Sequence, residues 1–437
     1  MLKLILKTLW TRRKRNGWLL AELILVSILS WIIFDPIVVM THDERIPLGY
    51  DADRLCVVSL DMLHPQAPGY DAQATDSAAL MDTYLHLMRR VRQHPDVALS
   101  TALLGYGWPN AGSNRVSDGR AEGDTTRAGR KMFMVVEFLP HTQYFETYGF
   151  RPGRGMSLAE LSDYPYGMTD IVMPENSLEL FFHTDDPRGK RLWGYNDTNT
   201  FYIPVVGSIG TVKYYANRLP TPLVFMPIHY VEVDDYIPSD ARILVRLKDG
   251  VSMDRFLHDF KPWMLRNLRA GNLYARDLQS YEQLIDDYNA STSTPIYRRN
   301  LMMAVFFLVN LCLGVVGTFW LQTRTRREEV GVQLSFGATP RRLVGQLLGE
   351  GAVLTTLATL VGCFIYLQYA LSEGLSSGIN WGGQEHVGQY WTDSFGLHFL
   401  FVSLIVYAIL LVVVSVGVYI PARKISRIPP TEALRDE

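Results

Sequence analysis

Arg326, Arg327, Glu328 and Glu329 place two cations and two anions on consecutive residues, and Val330, Gly331, Leu334, Phe336 and Gly337 follow closely. Charges of both signs beside apolar side chains, with a glycine that lets another surface approach, suit reversible docking of a second protein. Elsewhere the search for chemistry finds little. Residues 41–299 contain no HExxH, no GxSxG, no CxxC and no carboxylate-rich calcium loop. The acidic run EVDD (232–235) is read as a surface turn, and His86 and His94, two turns apart on a helix, as a solvated face. The three cysteines, Cys56, Cys312 and Cys363, offer neither a disulfide framework nor metal-ligand spacing.

The 437 residues carry a net charge of −2 and split into two populations. Asn300 to Thr323 and Gly351 to Ser372 hold no charged side chain, and Ser394 to Ala422 holds no Asp, Glu, Lys or Arg, with His398 its one histidine. Each is long enough for the roughly 20 residues a helix needs to cross a bilayer. Trp18 to Met40 is apolar apart from Glu22 and Asp35. It is read as an uncleaved span rather than a signal peptide, because the apolar run continues through Val39 and no small-residue cleavage pattern follows. Glu22 and Asp35 lie near its ends and are expected to be solvated. Gly314, Gly317, Ala358 and Gly362 are small enough for close helix contact.

Lys and Arg crowd residues 1–17, the 324–350 connector and the tail after Tyr419, whereas the loop from Leu371 to Gly396 has none. The positive-inside rule puts the N-terminus, connector and C-terminus in the cytoplasm. The expected order is an amphipathic segment at 1–17 lying on the bilayer, spans at 18–40, 300–323, 351–371 and 397–420, a large periplasmic domain at 41–299, a cytoplasmic connector at 324–350, a periplasmic loop at 372–396 and a tail at 421–437.

In the large domain, residues 54–60, 131–138, 200–209 and 241–247 are rich in β-branched and aromatic residues and are read as strands. Residues 76–93, 175–182 and 277–288 are read as helices, the first capped by Asp76 or Ser77, and STSTP (291–295) as the hinge into the second span. The fold class is α+β, with four transmembrane helices and the domain inserted after the first. In the connector, a helix from about Arg326 to Phe336 stops at Gly337, Thr339 caps the next helix and Pro340 occupies its first turn.

REEVGVQLSFGA (327–338) resembles the coupling-helix signature of the FtsX-like, MacB-like ABC transporter permease family, the group that includes the LolC/LolE lipoprotein exporters. PARKISRIPPTEALRDE is similar to that family's C-terminal motif. VMPENSLELFFHTDDPRGKRL and YIPVVGSIGTVKY resemble stretches of its MacB-like periplasmic domain. Glu328 and Ser335 depart from the family pattern, and no role is carried onto Glu328. The resemblance implies a non-catalytic permease subunit in the inner membrane whose ATPase partner docks on Arg326, Arg327, Glu329, Val330, Gly331, Leu334, Phe336 and Gly337. It implies no cofactor on this chain. The sequence contains no GxxxxGK[ST] P-loop, so ATP and Mg are expected on a separate P-loop ABC ATPase. The four spans imply a dimer with a second copy or a related permease, and the family leaves room for a periplasmic adaptor. No nucleic-acid partner is expected. The implied function is mechanotransmission for efflux or for lipoprotein or peptide export, with activation of a cell-wall hydrolase as the alternative.

Overall fold

A computed structural model describes residues 13–104, 107–110, 115–195, 200–228, 237–324, 332–376 and 386–426. Among the described residues, four helices are long and apolar enough to cross a membrane: Arg13–Arg45, Thr294–Arg324, Pro340–Glu373 and Phe395–Ile425. Each runs past the apolar stretch that announces it. At 1.5 Å per residue the 34 residues of Pro340–Glu373 reach about 50 Å, well beyond the roughly 30 Å of a bilayer's hydrocarbon. The chain divides into two compact units, one holding these helices and the other Asp43–Thr294 with Ile379–Gly388.

Within the helical unit, Leu19, Leu23, Trp31, Leu354, Ala358, Val402, Val406, Leu410 and Val414 form one buried cluster. Of the small residues, Gly362 packs against its neighbours: a Cβ there would meet Ser27 Cβ at 2.7 Å and Ile24 O at 3.2 Å. A Cβ on Gly314 would strike the carboxylate of Glu22. Gly317 has open space instead, so its expected packing role fails. Asp35 also departs from expectation. It is buried, because the helix continues ten residues past it to Arg45 and other elements close over it.

The second unit is α+β. A five-stranded sheet has the order β10-β11-β1-β9-β2, with β1 Leu55–Met62, β2 Val97–Leu103, β9 Arg242–Leu247, β10 Arg269–Ala270 and β11 Leu273–Ser280. All its pairings are antiparallel. Alternation sends Cys56, Val58, Ile243 and Val245 to one face, where helices Ser77–Arg92 and Met253–Asn267 cover them. Val57 and Leu244 face a second core rich in aromatics, including Tyr50, Tyr144, Tyr148, Phe150, Phe225 and Tyr281. The remaining strands close a barrel in the order β3-β4-β8-β5-β7-β6. They are β3 Arg115–Ala121, β4 Lys131–Phe138, β5 Ile171–Pro174, β6 Arg191–Tyr195, β7 Thr200–Ile209 and β8 Leu223–Pro227.

Three local readings change. Residues 277–280 are strand, because Leu273, Ala275 and Leu278 pack inward while the backbone pairs with β1; the helix occupies Tyr281–Thr292. STSTP is no open hinge, since Ser293 alone separates that helix from Thr294–Arg324. His94 is half-buried, edge-on to Phe256, Phe260 and Trp263, and this burial lowers its pKa; His86 is exposed. The run EVDD lies outside the described residues.

Candidate functional site

The connector between the second and third apolar helices is described from Val332 onward; Arg326, Arg327, Glu329, Val330 and Gly331 lie outside the described residues. From Val332 the backbone makes one helical turn and stops. Phe336 N–H donates to Val332 O, Gly337 N–H to Leu334 O and Ala338 N–H to Gln333 O, each at 3.0 Å. The last two bonds form a Schellman motif, which needs a left-handed residue at its fifth position. Gly337 supplies it, with φ of 88°. Thr339 then caps the next helix, its Oγ1 accepting from Arg342 N–H at 3.4 Å, and Pro340 takes the first helical position.

This geometry sorts the side chains. Leu334 and Ala338 pack against the membrane-helix cluster. Val332 and Phe336 point away, and Phe336 is 89% exposed. An aromatic ring that far from its own core, held on a turn fixed by three hydrogen bonds, is an anchor suited to a pocket on another protein.

Lys213, at the end of the YIPVVGSIGTVKY stretch, was not singled out in the sequence. It is fully buried. Its ammonium donates to Asp43 O and, at 2.6 Å, to Ala216 O, and lies 3.5 Å from Ile46 O. Burial pushes its pKa down to about 8, with the carboxylates of Asp43 and Glu44 pulling the other way. No local pattern marks it, because its acceptors are backbone atoms that every residue carries.

Residues 301–430 match the FtsX-like permease C-terminal family model. That segment is similar to the FtsX-like permease family. The match takes in the connector and the last two apolar helices, and agrees with the resemblance drawn from the motifs there. It is 28% identical over 170 residues to the macrolide export ATP-binding/permease protein MacB of Wolinella succinogenes, covering 39% of this chain and 24% of the relative. The chain thus spans about a quarter of the length of the curated relatives it matches. The periplasmic region of MacB from Actinobacillus actinomycetemcomitans aligns with 56% of this chain and 96% of its own, at 11% identity and a TM-score of 0.28.

Proposed function

We propose that this chain is the membrane-spanning subunit of a MacB/LolC-type ABC transporter in the inner membrane. It passes ATP-driven motion from a separate cytoplasmic ATPase to its α+β domain, working as a dimer in the export of a substrate. The observation that carries this reading is the FtsX-like connector with its outward-facing Phe336. These 437 residues hold no P-loop, so the ATP-binding part that this reading requires lies outside them. The physical logic is that of a rod. A helix of 34 residues, longer than the bilayer is thick, transmits a push at one end as a displacement at the other.

Affinity purification of the tagged full-length chain in mild detergent, with bound proteins identified by mass, tests the reading. A stoichiometric P-loop ATPase is expected, and it is lost when 326–336 is scrambled. Retention of the ATPase by the scrambled chain would move the docking surface elsewhere. A cell-wall hydrolase without any ATPase would replace transport with signalling.

A further inference from the structure

The described residues of the membrane-helix unit hold one buried pair of titratable side chains that hydrogen-bond each other. Asp35, in the first apolar helix, and His398, in the first turn of the last, are 2% and 1% exposed. His398 Nε2 lies 2.6 Å from Asp35 Oδ1. The other ends of both groups are also held. Asp35 Oδ2 accepts the N–H of Ser376, just beyond the third apolar helix, at 3.0 Å, and His398 Nδ1 faces Thr392 O at 3.3 Å. Each ring nitrogen therefore points at an oxygen, and one proton lies between Nε2 and Oδ1.

Aromatic rings enclose the pair. Trp391 stands edge-on to His398 with centroids 5.2 Å apart. One turn before Asp35, Trp31 stacks on Tyr366 at 4.6 Å and on Phe399 at 5.0 Å. Asp35 also precedes Pro36, which has no N–H to give the helix ladder. The first helix is thus weakest where its carboxylate is tied to two other places in the chain.

Such an arrangement exceeds what packing requires. Apolar residues of similar volume would fill the space without burying polar atoms, and a buried pair is weak evidence for stability as such. What it does supply is discreteness. In a medium with no water to replace the lost partners, the pair is either made or broken, with little between.

We propose that Asp35 and His398 form a latch that holds the ends of the first, third and last membrane helices in their resting arrangement and opens when the unit changes shape. The opening step rests on the transmission reading above.

Electron spin distances measure it directly. Spin labels go on the exposed positions Ile32 and Leu397 of the full-length chain in lipid nanodiscs, with Cys312 and Cys363 replaced by alanine and buried Cys56 kept. The wild-type latch gives one narrow distance. Asp35→Ala and His398→Ala each raise a longer-distance population about tenfold, as loss of a buried charge-assisted hydrogen bond would. The double variant is no worse than the more severe single. Asp35→Asn stays narrow, because its amide can donate to the ring while its oxygen still accepts from Ser376. Folded alanine variants with the wild-type distribution, or single effects that simply multiply in the double variant, overturn the latch. Should an alanine variant fail to fold, His398→Asn, too short to span to Asp35, carries the test against Asp35→Asn. ATP added with the captured ATPase populates the longer distance in the wild type. If it does not, the transmission reading falls, while the alanine variants still decide the latch.

Discussion

Lys213 in the α+β unit and Asp35 among the membrane helices are both sealed from solvent, and the chain satisfies them in opposite ways. Lys213 hydrogen-bonds to backbone, the carbonyls of Asp43 and Ala216 accepting its protons, with the Asp43 and Glu44 carboxylates acting on it only through their charge. Asp35 bonds to a side chain of complementary chemistry, His398, and to a single free backbone N–H beyond a helix end. The difference follows from what each environment can spare. Within a membrane helix the carbonyls and N–H groups are already bonded to one another, so a buried charge there must find a side chain or a helix terminus. Turns and helix ends in the α+β unit leave carbonyls unused, and a lysine with three donors can collect them.

That contrast can be broken by mutation, and the largest effect belongs to the membrane pair. His398→Ala leaves a carboxylate buried without its partner and is expected to destabilise the helical unit by roughly 3–5 kcal/mol. Replacing both residues by leucine should recover most of that loss, because no polar group then stays orphaned. Thermal unfolding in detergent compares the two, and a double leucine variant as unstable as His398→Ala contradicts the account.

Lys213→Met is expected to cost roughly 2 kcal/mol with no second-site rescue, since the orphaned carbonyls belong to the backbone. The same variant isolates a pH effect. The Lys213 pKa is about 8 in the folded chain against an ordinary 10.5. Between these values the unfolded chain binds more protons, so the contribution of Lys213 to stability rises with pH across this window and declines as pH falls towards 8. Denaturant titrations from pH 7.5 to 10 should show wild type gaining on Lys213→Met, and parallel curves would refute the buried ammonium.

Packing gives a smaller effect. Gly362→Ala pushes into Ser27 and the Ile24 carbonyl and should cost about 1–2 kcal/mol, whereas Gly317→Ala, with open space, should be neutral or slightly stabilising. Equal melting shifts for the two would dissolve the distinction. Smallest of all, Phe336→Ser should change stability by less than about 0.5 kcal/mol, as exposed substitutions do, yet abolish capture of the ATPase.

Much of this was legible in the sequence where the signal is local. The strands at Lys131–Phe138 and Thr200–Ile209, the helix capped by Asp76, and the stop at Gly337 each depend on a few adjacent residues. Leu273–Ser280 was missed in part because Leu278, Tyr281 and Ile285 also fit a helical period, and only pairing with β1 selects the strand. Asp35 departs from the solvated position expected of it because distance from the end of an apolar run is not distance to water. Its partner lies 363 residues away in sequence, and no local pattern announces such a bond. The sequence puts Phe336 in the connector, but its outward direction follows from the turn geometry rather than from its type.

The closed barrel has a consequence of its own. Every strand from β3 to β8 has a bonded neighbour on both sides, so no strand can be peeled away by breaking one ladder alone. Load applied to any point of the wall is shared around the ring. This half of the α+β unit is therefore a frame that deforms as a whole rather than strand by strand.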